Sequence, residues 1–212
     1  MLMIRSFRGK QAAAVFQGKV PKGFPPDIAK AAFRKLRMLD AAVSLNDLRS
    51  PPGNHLEALT GDRAGQHSIR INDQWRLCFA WRDGAPHEIE IVDCHQAVPS
   101  HAKEGGMDDL ILREDLDSAD LSNADAGEAV PPVMPGQVLC LEFMEPAGLS
   151  AHALAKATGL PINRITAIPH GTRGITADTA LRLARRFGTS AEMWMNLQTA
   201  YDLETARKKM AA

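Results

Sequence analysis

The chain has 212 residues, 45% of them hydrophobic and 24% charged, with 25 Lys+Arg against 25 Asp+Glu. This is the profile of an ordinary soluble protein of one or two domains, and it excludes collagen-like, mucin-like and globally disordered chains. A net charge of zero argues, on the total alone, against a nucleic-acid partner, because sequence-independent phosphate binding is driven by clustered Lys and Arg. Along the chain the charge is uneven: residues 1–98 carry 14 basic and 10 acidic side chains, 99–136 carry 2 and 9, and 137–212 carry 9 and 6. The order is basic, acidic, basic.

The N-terminus turns charged at Arg5 and Arg8 before an apolar signal region can form, and no apolar run approaches the roughly 18 residues of a membrane span. Cys78, Cys94 and Cys140 have no Cys-x-x-Cys spacing, which argues against a disulfide framework and a structural zinc site. We therefore expect a cytoplasmic protein without membrane, metal or cofactor.

In chain order, 27–40 follows Pro25-Pro26 and places Ile28, Ala32, Leu36 and Leu39 on one helical stripe. The period then changes to two. Residues 66–72 put Ile69 and Ile71 on one side and Ser68 and Arg70 on the other, while 75–82 group Trp75, Leu77, Phe79 and Trp81 opposite Arg76, Cys78 and Ala80. Asp83-Gly84 signals a hairpin turn, and 87–92 supplies a third strand. The fold class expected of 1–98 is α+β, helices followed by an antiparallel sheet with one buried face.

From 99 onward aromatic residues vanish and Pro, Gly, Ser and Asp accumulate, so 99–132 reads as an acidic flexible linker. Within it, 108–116 spaces its apolar residues for a short helix against a partner. After it the period-two pattern is gone. Five helices are expected near 138–143, 151–158, 161–168, 176–187 and 191–206, separated by Gly148, Gly159, Gly171/Gly174 and Gly188. Residues 133–212 should thus form an all-α domain.

Matching the buried faces of the first two strands requires a loop of odd length, most simply 72–74, so that Ile71 pairs with Trp75. Arg70 then stands directly opposite Arg76. Two opposed guanidinium groups repel. Either an anion such as a nucleic-acid phosphate lies between them, or they splay toward Asp62 and the carboxylates of the linker.

The segments Gly61-Asp62-Arg63-x-Gly65 and Ser68-Ile69-Arg70-Ile71-Asn72-x-x-Trp75-Arg76, ending in Val92-Asp93-Cys94-His95, resemble the HigB toxins of the RelE superfamily. The resemblance spans about residues 3–96. It implies a compact ribonuclease that cuts mRNA on the ribosome, with the RNA's own 2′-hydroxyl as nucleophile and no metal. In that chemistry His95 would move protons, Arg70 and Arg76 would bind the phosphate in the transition state, Arg63 would touch the RNA backbone, and Asp93 would orient His95 or hold an arginine. Strict alternation from Ile91 sends Asp93 and His95 to the buried side, so the strand must end or bulge near Val92. Thr60 and Cys94 stand where family members often have Lys and Tyr, which puts cleavage in doubt. Glu57 and His55 lie nearby.

In the second domain Ser150 is a good N-cap and Pro161 suits a helix start. Leu154, Ala155, Gly159, Leu160, Ile165 and Ile168 follow the helix-turn-helix pattern. Leu154-Ala155-Lys156-Ala157 and His170-Gly171-Thr172-Arg173-Gly174-Ile175-Thr176-Ala177-Asp178 resemble the HigA antitoxins, a branch of the Xre-type repressors, over about 133–208. The resemblance implies a domain that neutralises its toxin and, as a homodimer, binds the operator of its own operon. Ile162, Asn163, Arg164 and Thr166 begin the recognition helix, where Asn and Arg are base readers. Arg173 would contact phosphate. Pro169 should bias Ile168 away from helical geometry and shorten that helix.

The whole-chain reading is a type II toxin–antitoxin protein in one polypeptide: a ribosome-dependent mRNA endoribonuclease held inactive, within or between chains, by a DNA-binding antitoxin domain. Met107 would be the vestige of an antitoxin start. The alternative is a DNA-binding repressor with an inactive toxin-like domain. In either case the acidic stretch 108–117 is expected to cover the Arg70/Arg76 surface.

Overall fold

The computed structural model describes residues 3–94, 110–121 and 129–211. His95, Met107 and positions 108 and 109 lie outside the described residues. The chain forms two compact units: Met3–Asp40 with His55–Pro131, and Ala41–Asn54 with the chain from Pro132 onward.

The first unit is a six-stranded sheet with two helices. Strand β1 (Ser6–Arg8) leads into α1 (Lys10–Phe16) and α2 (Pro26–Ala41). Helix α2 starts on Pro26 with Asp27 in its first turn, and it buries Ala29, Ala32, Phe33, Leu36 and Leu39 at spacings of three and four. Next come β2 (Glu57–Ala58), β3 (Gln66–Arg70), β4 (Trp75–Arg82), β5 (Ala85–Asp93) and β6 (Leu110–Leu112), in the sheet order β2-β3-β4-β5-β1-β6.

The β3–β4 hairpin has the register that face matching requires: Ile69 pairs with Leu77 and Arg70 with Arg76, and the Ile71 N–H donates to Trp75 O at 2.9 Å. Asn72 shapes the loop, its Oδ1 accepting from the N–H groups of Gln74 (3.0 Å) and Trp75 (2.7 Å). Asp83 and Gly84 turn β4 into β5 with φ of 51° and 72°, the paired positive φ values of a tight hairpin.

Three sequence expectations need correction. Both faces of the sheet centre are covered, since Cys78 and Ala80 are buried as well as Leu77 and Phe79. The sheet is mixed, because β1 runs parallel to β5 through Phe7 and Ile89. The short segment read as a helix within the acidic linker is instead β6, antiparallel to β1 with Phe7 opposite Ile111. An open sheet edge offers unpaired backbone groups, and a run of three aliphatic residues satisfies them better than a marginal helix could. The segment continues as part of the unit: Leu116 and Leu121 are buried, and Gln17 donates to Leu116 O at 2.7 Å.

The second unit is helical. It holds α3 (Leu45–Arg49), α4 (Pro135–Val138) running into a six-residue π-turn segment (Leu139–Met144), α5 (Ala151–Thr158), α6 (Ile162–Ala167), α7 (Ala177–Phe187) and α8 (Ala191–Ala211). Phe143, Phe187 and Trp194 centre its core, with Phe143 5.0 Å from Trp194 and 4.9 Å from Phe187 between ring centroids. Ser150 caps α5 by accepting from Ala153 N at 3.2 Å, and Gly159 and Gly188 end α5 and α7 in left-handed geometry. Gly174 has no such geometry; it lies under the amide of Gln198.

Candidate nucleic-acid interfaces

Two surfaces gather the residues singled out in the sequence. On the sheet, register decides which side chains share a face. Glu57, Ser68, Cys78 and Glu90 form one cross-strand row, and Arg70, Arg76 and Val92 form the next. Arg76 reaches back across the first row. Its Nε donates to Ser68 Oγ at 2.9 Å and its Nη2 to His55 O at 3.0 Å, and it pairs with Glu57 at 3.0 Å. Arg70 turns the other way, to Asp73 at the hairpin tip. The repulsion between the opposed arginines is thus relieved by Glu57 and Asp73; among the described residues neither Asp62 nor the linker pairs with them.

Arg63, held in a short 3-10 turn (Gly61–Arg63), pairs with Glu90 at 2.8 Å, while its Nη1 is buried without a hydrogen-bond partner among the described residues. The Cys78 thiol lies among these groups. Burial pushes its pKa up to about 11, against the opposing pull of the Arg63 charge. Three arginines are therefore gathered along one sheet face, each matched to a carboxylate that a phosphate could replace.

Asp93 does not join them. It pairs with Trp75, on the face of Leu77 and Ile91, and its Oδ2 accepts from Gln74 Nε2 at 2.8 Å. The strand stays regular through Val92. The bulge lies earlier, where Cys78 faces Glu90 but Ala80 faces His87, and the extra residue falls at Glu88 with φ 52°. Glu88 is held there by Arg8 and Arg82, both at 2.7 Å. Although its partial burial works the other way, these two cations keep its carboxyl below the usual range. His95 lies outside the described residues. Thr60 and Cys94 are exposed. The sequence placed Glu57 and His55 where they could take part without assigning either a role, and it missed Glu90 and Ser68, because their part depends on which strands pair across long separations.

On the helical unit, α5 and α6 form the helix-turn-helix, with Leu154, Ala155, Leu160, Ile165 and Ile168 all buried. The opposite side presents Ile162, Asn163 and Thr166, all exposed, with Arg164 beside them paired to Asp178 at 3.2 Å. Thr166 Oγ1 donates back to Ile162 O at 3.1 Å. Arg173 is exposed in the loop that follows. Helix α6 is short, but Ile168 keeps helical angles (φ −63°, ψ −51°) despite Pro169. Gly136 packs closely there: a Cβ on it would lie 2.1 Å from Ile168 O, so α4 meets the end of α6 backbone to backbone.

A family model described as the RelE-like toxin of the type II toxin–antitoxin system HigB matches residues 5–95, and a helix-turn-helix model matches 141–194. Over 60 residues the chain is 55% identical to Toxin HigB-1 of Vibrio cholerae, covering 28% of this chain and 63% of that one. It is 38% identical over 78 residues to Antitoxin HigA-1 of the same organism, covering 37% of this chain and 73% of that one. The chain belongs to the HigA antitoxin family, and its first part is similar to the HigB toxins. A HigB-like part comes first and a HigA-like part second, in one polypeptide. The chain is also 54% identical over 79 residues to Virulence-associated protein I of Dichelobacter nodosus, covering 37% of this chain and 73% of that one. Among the described residues no helix is long and apolar enough to cross a membrane, and no group of three or more His, Cys, Asp or Glu is placed to hold a metal ion.

Proposed function

We propose that the chain unites a toxin and its antitoxin functionally as well as covalently, with the toxin activity in 1–98, its restraint in 133–212 and the acidic stretch 99–132 between. The HigB-like part is a metal-independent endoribonuclease on ribosome-bound mRNA. The HigA-like part inhibits it and, as a homodimer, represses its own operon by reading operator DNA. The observation that carries this reading is the direct pairing of Arg70 with Arg76, beside Arg63. Three cations on one sheet face, balanced among the described residues by Glu57, Asp73 and Glu90, suit a phosphate that gains charge as a 2′-hydroxyl attacks it. His95 would transfer the protons. On the helical unit the exposed Ile162, Asn163 and Thr166, with Arg164, would enter the major groove, and Arg173 would hold phosphate.

A second reading, a DNA-binding repressor with an inactive toxin part, is favoured by the position of Asp93 on the other face of the sheet and by the Thr60 and Cys94 replacements. Inducing residues 1–121 in a bacterium and mapping mRNA ends separates the two. Residues 110–121 are kept because they add strand β6 and the buried Leu116 and Leu121 to the sheet unit. Growth arrest relieved by Arg70→Ala or Arg76→Ala supports the ribonuclease; a 1–121 that is folded by circular dichroism yet harmless, beside a full chain that shifts its own promoter, supports the repressor. Asn163→Ala should weaken that shift by roughly 1–3 kcal/mol at its cognate base.

A further inference from the structure

Residues 41–54 fall within the stretch matched by the toxin model, yet they fold as part of the helical unit. At their centre is Asp47, a fully buried carboxylate. Its Oδ2 accepts from the N–H groups of Val43 (2.9 Å) and Ser44 (3.1 Å), which closes the start of α3. The remaining acceptor capacity is met from the HigA-like part. Ser190 donates its N–H to Oδ1 at 2.6 Å and its hydroxyl to Oδ2 at 2.9 Å. The same hydroxyl accepts from Met193 N at 3.2 Å, so Ser190 is the N-cap of α8. Two helix starts therefore share one carboxylate and one hydroxyl.

Around this pair the contact is polar and specific. Gly188 O accepts from Asn46 Nδ2 at 2.6 Å and from Ser50 Oγ at 3.1 Å. Asn196 Nδ2 donates to Ala41 O at 3.0 Å. A buried carboxylate stripped of its donors is strongly destabilising, so the corner between α7 and α8 is matched to a segment that carries Asp47 far better than to an apolar one. None of Ile162, Asn163, Arg164, Thr166 or Arg173 takes part.

We propose that the Gly188–Ser190 corner is the surface through which the HigA-like part holds the HigB-like part, with residues 43–50 as the bound element, and that this hold is independent of the covalent linker. The inference rests on the toxin–antitoxin reading for its purpose but not for its test.

The test starts from the full chain carrying a protease site inserted between residues 122 and 128, purified intact and then cut. Ala129 and Val130 stay on the C-terminal fragment, where they pair with Lys19 and Gly18 in wild type and variants alike, so the variants isolate the corner. Ser190→Ala removes one donor to Asp47. Asn46→Asp, at an exposed position, sets a carboxylate against Gly188 O. The cut wild-type chain should elute as one particle in size-exclusion chromatography at micromolar concentration. Each variant should raise the dissociation constant between fragments by about tenfold or more, and the double variant should elute as two species. If one variant fails to fold when uncut, the other decides the question. Separation of the cut wild-type fragments, or variants that bind as tightly as wild type, overturns the proposal. Loss of DNA binding or of growth arrest would bear only on the proposed function.

Discussion

Asp40 shows how much one side chain can depend on a distant partner. It is buried, and its Oδ1 accepts from Met3 N (3.0 Å), Ile4 N (2.9 Å) and Arg113 Nη1 (2.5 Å). Arg113 also lies 4.7 Å over the Phe16 ring. Arg113→Ala leaves the carboxylate buried without its cation, which should cost about 3–5 kcal/mol, read as a lowered urea midpoint. Cys78 gives a pH signature. Its thiol is pushed from 9.0 to about 11 by burial, so the folded state keeps a proton that the unfolded state loses. The stability this contributes is complete below pH 9 and is lost as pH rises toward 11, to the extent of about 2–3 kcal/mol. Denaturant curves at pH 8 and 11 should show that loss, and Cys78→Ala should reduce it. The opposition of Arg70 and Arg76 was legible in the sequence because a buried face pins strand register. Their carboxylates were not: Glu57 reaches Arg76 only through the pairing of β2 with β3.

At the level of elements, the helices of the HigA-like part follow their sequence signals closely, because caps and glycines mark local boundaries. Ser150, Gly159 and Gly188 end or begin helices where expected. What sequence periodicity could not supply was any element whose identity depends on a remote partner. Residues 110–112 are a strand because β1 has an edge to offer, and 41–54 belong with helices that begin some 80 residues later. Gly136 is a similar case. Nothing in its neighbourhood signals a close approach, yet a Cβ there would meet Ile168 O at 2.1 Å and Pro169 Cα at 2.7 Å. Gly136→Ala should therefore push α4 off the end of α6 and destabilise the helical unit by about 3 kcal/mol, seen as a lower melting temperature of the full chain. It should also weaken promoter binding more than a loss of stability alone predicts, since the displaced backbone ends the recognition helix.

For the whole molecule, net neutrality conceals a basic, acidic, basic order that suggested an acidic strap over the Arg70/Arg76 surface. The fold argues otherwise for the described part of that strap. Strand β6 lies at the edge next to β1, and β1 and β5 separate it from β4. Strands are about 4.8 Å apart, so β6 and β4 are roughly 14 Å apart, well beyond the Debye length of about 8 Å at physiological salt. Glu114, Asp115 and Asp117, which follow β6, are thus poorly placed to neutralise arginines already matched to Glu57 and Asp73. The expected outcome reverses the one charge order suggests. Changing these three acids to Lys in the full chain should alter RNA affinity at 150 mM salt by less than about twofold, measured by fluorescence anisotropy with a short labelled RNA. Glu57→Gln, a single change on the arginine face, should raise it by more, because it frees Arg76 for phosphate. If the triple change raises affinity more than Glu57→Gln does, screening by the strap regains its place. If the order is as expected, the arginine face is restrained by its own sheet, and control by the HigA-like part must act through a contact other than charge cover.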